Sequence, residues 1–189
     1  MYDGIFILNS ALNVNQLSVF NNQERFEQTC ETIESIQKYC PNSIKVVFDS
    51  SPHPVEEDDM AKLTTYPHTW FIDMGCHEVV KSLSLGGFRS QAETYSFMGL
   101  TSWIKEQKFE AKRVYKLSAR YTLTDNFVVD DPSYKDAFVF AKALDSWMPK
   151  DIQEASGASK LFRLRLWHMD FNLFDNFRSE EHTSELQSH

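Results

Sequence analysis

Short apolar runs alternate with a helical pattern through the first half of the chain. Gly4–Leu8 is a continuous apolar run, which is typical of a strand buried on both faces of a parallel sheet. Apolar residues then recur at helical spacing over residues 22–39, and Pro41 ends that helix. A second run, Ser43–Phe48, follows. This order predicts a βαβ unit with parallel strands and a right-handed crossover.

The pattern continues with a third strand, a helix and a fourth strand. Thr69–Asp73 is the third strand, and it follows an acidic loop with one helical turn near residues 60–63. Residues 81–89 contain a Gly-Gly pair, which predicts a flexible lead into the helix Ser90–Glu106. The fourth strand is predicted over Arg113–Leu117.

Downstream of residue 130 the pattern is weaker. Asp136–Phe140 fits either a strand or the start of a helix, and Leu161–Trp167 alternates with period two, which predicts an antiparallel strand. The sequence therefore predicts an α/β fold, a Rossmann-like and mostly parallel open sheet flanked by helices, with a weaker C-terminal α+β part. We expect a single domain over residues 1–177.

The last residues, 178–189, differ from the rest of the chain. Their sequence, RSEEHTSELQSH, lacks apolar periodicity and resembles the in-frame translation of a sequencing-library adapter. We expect this tail to be non-native and unstructured. The natural chain is then expected to continue beyond Phe177, which would make the domain truncated.

Composition narrows the classes of function. Apolar residues make up 42% of the 189 residues and charged residues 24%, as in ordinary soluble domains. The formal net charge of −8 disfavours nucleic acid as a partner. Because no apolar run reaches the ~18 residues of a membrane-spanning helix and no signal peptide is evident, we expect a cytoplasmic protein with at most peripheral membrane contact. Three cysteines without a CxxC pair make a poor disulfide framework.

Several common sites are missing from the sequence. No GxGxxG follows the first strand, the Gly-Gly pair lacks the lysine of a phosphate-binding loop, and no GxSxG is present. The histidines lack the spacing of a zinc site, so we predict no metal ligands from spacing. Candidate chemistry therefore depends on where polar residues fall relative to the strands.

Polar residues follow three of the predicted strands where each strand ends. They are Asn9, Ser10, Asp49, Ser50, Ser51 and Asp73. The carboxyl ends of parallel strands face a crevice in an open α/β sheet, where amide, hydroxyl and carboxylate groups can bind a nucleotide base and ribose. Each residue alone could equally end its strand as an ordinary turn residue. Three such positions together favour a site.

An arginine is placed to meet an anion near the same edge of the sheet. Arg89 directly precedes the predicted helix, for which Ser90 and Glu93 have the spacing of a capping box. Its guanidinium could bind a diphosphate beside a helix N-terminus. The alternative is an ordinary surface arginine.

The stretch Arg113–Phe127, RVYKLSARYTLTDNF, ends in a dense cluster of polar residues. Lys116, Ser118 and Arg120 alternate along it, so we expect all three on one face of the sheet. Two cations on one face suit an anionic ligand, or they pair with the chain's abundant carboxylates.

Three segments resemble a family of glycosyltransferase-like proteins of bacteria, phages and large DNA viruses. They are SVFNNQERFEQTCETIESIQKYCPNSIKVVFDSS, SQAETYSFMGL and RVYKLSARYTLTDNF, of which the first is the most specific. The pattern is similar to that of GT-A-type sugar-nucleotide transferases, which makes about residues 1–127 the nucleotide-binding half. The resemblance implies transfer of a sugar from a nucleotide-diphospho-sugar donor to a glycan or lipid-linked acceptor in surface polysaccharide synthesis.

The resemblance also implies roles for the candidate residues. Asp125 and Arg120 become the candidate catalytic residues. The candidate donor-binding residues are Asn9, Ser10, Asp49, Ser50, Asp73, Arg89, Glu93, Lys116, Ser118 and Tyr121.

One departure from the family pattern leaves the metal requirement open. GT-A enzymes usually hold a divalent metal with a D-x-D motif, but the matching stretch is KLSARY. Either Asp125 supplies a single carboxylate to Mn²⁺ or Mg²⁺, or Lys116 or Arg120 neutralises the diphosphate without a metal. The missing motif also supports a second hypothesis, a non-catalytic sugar- or nucleotide-binding or assembly domain on the same scaffold.

Overall fold

The structure, a computed structural model, describes residues 1–13, 19–129, 131–140, 143–145, 149–156, 160–162 and 166–174. The strands are β1 Tyr2–Ser10, β2 Ser43–Asp49, β3 Thr69–Asp73, β4 Ala111–Ser118, β5 Phe138–Phe140, β6 Ala143–Asp145, β7 Lys160–Phe162 and β8 Leu166–Asp170. The helices are α1 Asn22–Tyr39, α2 Glu57–Thr64, α3 Glu78–Leu85, α4 Arg89–Glu106 and α5 Lys150–Ser156, with a 3₁₀ turn at Pro132–Tyr134.

A six-stranded mixed sheet in the order β3-β2-β1-β4-β8-β5 forms the centre of the fold. The first four strands are parallel, β8 runs antiparallel to β4, and β5 runs antiparallel to β8. β6 and β7 form a separate antiparallel pair. The strand order reverses between β1 and β4, so a crevice is expected at their carboxyl ends. At that edge Asn9 of β1 lies opposite Ser118 of β4.

Alternate residues of the central strands supply two cores, one on each face of the sheet. Phe6 and Leu8 of β1 belong to a cluster that includes residues of α1 and α2. Ile5 and Ile7 belong to a second cluster that includes residues of α4. Both faces are covered, which explains why β1 has the continuous apolar run of a buried parallel strand.

The first turn of α1 is fixed by a reciprocal cap. The Asn21 side chain accepts the backbone N–H of Glu24 at 2.9 Å, and the Glu24 carboxylate accepts the backbone N–H of Asn21 at 2.8 Å. These two bonds satisfy two donors that the helix itself leaves unpaired. The cap therefore fixes where α1 starts, next to the carboxyl end of the sheet.

The predicted α/β class, with a mostly parallel sheet flanked by helices, is confirmed, and the arrangement is compatible with a Rossmann-like fold. The predicted helix 22–39 and the strand Thr69–Asp73 have the predicted bounds. Asp136–Phe140, which fitted a strand or a helix, contains the short strand β5. Among the described residues, no helix is long and apolar enough to cross a membrane.

Three local predictions were wrong. Residues 81–89 were expected to be a flexible lead, but most of them lie in α3, and the turn is confined to the glycine pair, where Gly87 has φ of +83°. The predicted capping box at Ser90 is absent, because α4 starts at Arg89 and its N-cap, Phe88, makes no side-chain capping bond.

The third error concerns Leu161–Trp167, which was expected to form one antiparallel strand. Its described residues divide between β7, which pairs with β6, and β8, which pairs with β4 and β5 in the main sheet. The proposed adapter tail, residues 178–189, and Phe177 lie outside the described residues.

Candidate functional site

A cavity of about 250 Å³ opens at the carboxyl ends of β1, β2 and β4. This is the point where the strand order reverses, as expected for a ligand site in an open α/β sheet. Eight of the predicted residues line it: Asn9, Ser10, Ser50, Ser51, Arg89, Glu93, Ser118 and Arg120. We call it the arginine cavity, because Arg25 of α1 joins the other two arginines there.

The three arginines come from three different elements. Arg25 lies in the first turn of α1, Arg89 is the first residue of α4, and Arg120 lies in the turn that follows β4. Burial lowers the pKa of the Arg25 guanidinium below its ordinary value, and the positive charges of Arg120 and Arg89 lower it further. The three charges therefore act on one another, and an anion bound between them would relieve that repulsion.

Arg120 does not share a strand with Lys116 and Ser118, as the alternation had predicted. β4 ends at Ser118, and the Arg120 N–H donates to the Ser118 carbonyl at 2.7 Å in the turn beyond it. The alternation holds only for the two residues inside the strand. The turn places the Arg120 side chain in the arginine cavity.

Lys116 and Glu93 form an ion pair beside the cavity. The Lys116 Nζ lies 2.7 Å from the Glu93 carboxylate, and Lys116 is buried in β4. Glu93 lines the arginine cavity, whereas Lys116 does not. Of the two alternatives for Lys116, pairing with a carboxylate is therefore the one that the structure shows. The Glu93 carboxylate therefore pairs with Lys116, whereas the predicted capping box paired it with Ser90.

Asp49, the last residue of β2, does not line the cavity. Its carboxylate accepts the backbone N–H of Leu12 at 2.7 Å and that of Ser51 at 2.9 Å, and the residue is fully buried. Burial raises its pKa, while hydrogen bonds from Ser51 and from the Leu12 N–H oppose the rise. Asp49 was predicted to bind the nucleotide. It instead holds the loops after β1 and β2 in place, so that Ser51 lines the cavity.

Asn9 keeps an open hydrogen-bonding position in the cavity. Its side-chain oxygen is buried and has no hydrogen-bond donor among the residues the structure describes. Its backbone carbonyl accepts the Ala119 N–H at 3.0 Å, which ties the end of β1 to the turn after β4. Since an unpaired buried acceptor is costly, a ligand hydroxyl or amino group would be a suitable partner.

Three other predicted residues lie outside the arginine cavity. Asp73 accepts the Gly75 N–H at 2.9 Å and lines a separate acidic depression with Glu56–Asp59. Tyr121 is half-buried against the core on the α1 face, and Asp125 is exposed in a turn. Of the two predicted catalytic residues, Arg120 lines the arginine cavity and Asp125 does not.

The residues of the arginine cavity do not fit a divalent metal ion. Mg²⁺ and Mn²⁺ prefer carboxylate and other oxygen ligands. The described lining residues offer three guanidinium groups and one carboxylate, that of Glu93, which is paired with Lys116. No cluster of three or more candidate ligands occurs among the described residues. The single carboxylate once considered for a metal, that of Asp125, lies outside the cavity.

Three polar residues of the cavity were not predicted from the sequence: Arg25, Thr29 and Ser84. Arg25 and Thr29 are four residues apart in α1, a spacing that puts both on one face of the helix. That spacing can be read from the sequence, since Arg25 and Thr29 lie four residues apart on the predicted helix. Ser84 could not be found, because α3 was not predicted.

Comparison of the chain with protein-family models and with curated proteins found no match in either case. The function is therefore inferred from the arginine cavity, its charges and its place in the sheet.

Proposed function

We propose that the arginine cavity binds the diphosphate of a nucleotide sugar and that the chain is a GT-A-like glycosyltransferase. The acceptor would be a glycan or lipid-linked saccharide of surface polysaccharide synthesis. The observation that carries this proposal is the meeting of Arg25, Arg89 and Arg120 at the switch point of the sheet, in a chain with a net charge of −8. Guanidinium groups bind phosphate oxygens in a bidentate manner, which suits a diphosphate.

The same residues suggest how transfer would be assisted. An acceptor hydroxyl oxygen forms a bond to the anomeric carbon, and the bond from that carbon to the diphosphate oxygen breaks. Its electron pair leaves with the nucleoside diphosphate, and the hydroxyl proton is released to the leaving diphosphate or to solvent. The arginines would stabilise the negative charge that grows on the leaving group. Asn9 and the cavity's serines would bind the base and ribose.

A non-catalytic nucleotide- or sugar-binding domain is the second candidate. It is favoured by one observation: the carboxylate that lines the arginine cavity, Glu93, is already paired with Lys116. Among the described lining residues, that pair leaves no free carboxylate as a general base. The two candidates differ in whether the bound nucleotide sugar is turned over.

The first test is calorimetric titration of the chain with UDP, GDP, CMP and dTDP in EDTA. We expect one nucleotide to bind, and Arg120→Ala to weaken it by about 10- to 100-fold, since a hydrogen bond to a charged group contributes roughly 1.5–3 kcal/mol. Lys81→Ala is the matched control, because this exposed cation of α3 lies outside the arginine cavity. Its affinity should equal that of the wild type.

A second measurement separates the two candidates. The sugar form of the nucleotide that binds is incubated with a mixture of saccharide acceptors, and free nucleotide is measured. Release above the rate seen with Arg120→Ala supports a transferase, and binding without release supports the binding domain. If no nucleotide binds to the folded chain, the proposed use of the arginine cavity is wrong.

A further inference from the structure

A second cavity, of about 320 Å³, lies between the segment after β4 and the strands β5 and β8. Three aromatic residues, Phe127, Tyr134 and Phe140, line it together with Thr124, Asn126 and His168. None of its described lining residues is an aspartate, glutamate, lysine or arginine. We call it the neutral cavity. Its lining contrasts with that of the arginine cavity, which is suited to an anion.

His168 lines the neutral cavity, and its ring is held by Arg113. Its Nδ1 accepts the Nε–H of Arg113 at 3.1 Å, and Arg113 also donates to the carboxylate of Asp170 at 2.7 Å. Burial, followed by the charge of Arg113, lowers the pKa of His168 to about 4, so the ring is neutral near pH 7. A neutral ring whose Nδ1 accepts a hydrogen bond carries its proton on Nε2. His168 thus offers an N–H and not a general base.

We propose that the neutral cavity binds an uncharged saccharide ring, the acceptor of the sugar transfer proposed above, on which this inference rests. The aromatic rings provide apolar surfaces for the C–H face of a sugar. The hydroxyl of Thr124, the amide of Asn126 and the N–H of His168 provide donors and acceptors for its hydroxyls. Since none of the described lining residues is ionised, the cavity would not compensate the charge of a phosphorylated or acidic sugar.

The segment after β4 contributes lining residues to both cavities. Arg120 lines the arginine cavity, and Thr122 lines the neutral cavity. Their Cα atoms are two residues apart and therefore at most about 7 Å apart. A saccharide in the neutral cavity would accordingly be a neighbour of a donor in the arginine cavity. This is the arrangement that transfer between two bound substrates requires.

The test uses saturation-transfer NMR with the methyl glycosides of glucose, galactose and mannose as probes. We expect at least one to receive saturation from the chain, and the double variant Thr124→Val/Asn126→Ala to weaken its binding about tenfold, because each lost hydrogen bond costs several-fold in affinity. Both residues are exposed, which limits the effect on folding. Thr65→Val, an exposed threonine that lines neither cavity, should leave the signal unchanged.

Titration of the same variants with the nucleotide distinguishes the proposed nucleotide site from the proposed saccharide site. The double variant should bind the nucleotide as tightly as the wild type does, and Arg120→Ala should keep the glycoside signal. Glycoside binding that survives in the double variant overturns the inference, as does nucleotide binding with no glycoside signal. If glycosides bind but no nucleotide does, the acceptor role is overturned because the proposed function has failed.

Discussion

The two ends of β4 each carry an arginine, and the two arginines differ in their partners. Arg113, near the start of the strand, is 5% exposed. It donates to His168, to the Asp170 carboxylate and to the Tyr134 carbonyl, and its guanidinium lies 5.3 Å from the Tyr134 ring centre. Arg113 therefore joins β4, β8 and the 3₁₀ turn into one unit.

Arg120, just beyond the other end of β4, is exposed and forms no ion pair with the residues that the structure describes. It shares the arginine cavity with Arg25 and Arg89. A structural arginine is thus distinguished from a candidate ligand-binding one by its partners and not by its sequence neighbours. In the sequence RVYKLSAR both are cations at the ends of a run in which apolar and polar residues are mixed.

The largest effect is expected from Arg113→Met. The change removes the guanidinium but keeps much of the apolar stem, and it leaves the Asp170 carboxylate without its charged partner. Breaking such a pair should lower the free energy of unfolding by about 3–5 kcal/mol in urea titrations.

Lys112→Met is the control for Arg113→Met, since it removes the same charge from the adjacent position of β4. Its ion pair with Asp3 is more exposed, with side-chain exposures of 43% and 33%, so a loss below about 1 kcal/mol is expected. Equal losses in the two variants would show that the Arg113–Asp170 ion pair stabilises the fold no more than the exposed Lys112–Asp3 pair does.

The parallel half of the fold was predictable because its strands are buried on both faces. Continuous apolar runs such as Gly4–Leu8 mark such strands, and the helical period between them marks the crossover. The antiparallel strands in the C-terminal part of the chain were not predictable in the same way. Leu161–Trp167 has the correct period, but a period does not specify pairing partners, and the described ends of this segment belong to two different sheets.

The sequence predicts which polar residues lie at the ends of the strands, and so at the edge of the sheet that carries the cavity. It does not predict which of those residues have hydrogen-bond partners elsewhere in the chain. Asn9, Ser10 and Ser50 line the arginine cavity because parallel strands deliver their ends to one edge. Asp49 lies at the same edge, yet its carboxylate is buried and accepts the backbone N–H groups of Leu12 and Ser51. The sequence cannot show which of two adjacent polar residues turns inward.

The stability of the fold is expected to depend on pH through His168, which contacts Arg113 at the start of β4. The pKa of His168 in the folded chain is about 4, below the ordinary value of 6.5, so the unfolded chain takes up this proton first as the pH falls. The contribution of neutral His168 is complete above about pH 6.5 and is lost as the pH falls towards 4.

His168→Gln should remove this dependence, since glutamine keeps an acceptor for Arg113 but does not titrate. In urea titrations, the stability of the wild type should fall by roughly 3 kcal/mol more than that of the variant between about pH 7 and pH 4. Between about pH 7 and pH 8 the difference should be constant. Parallel curves over the acidic range would mean that His168 titrates normally and that Arg113 does not influence it.

The smallest effect is expected from a change of charge near the Arg120 end of β4. Glu93→Gln removes the carboxylate that neutralises Lys116, which should raise the affinity of the arginine cavity for a nucleoside diphosphate by about three- to fivefold, or under 1 kcal/mol. The gain should shrink as salt is added, because it comes from charge alone. Glu106→Gln, an exposed change at the other end of α4, should leave the affinity unaltered. A loss of affinity in Glu93→Gln would instead mean that the Glu93 carboxylate accepts a hydrogen bond from the ligand, which would place it beside the arginines as a binding residue.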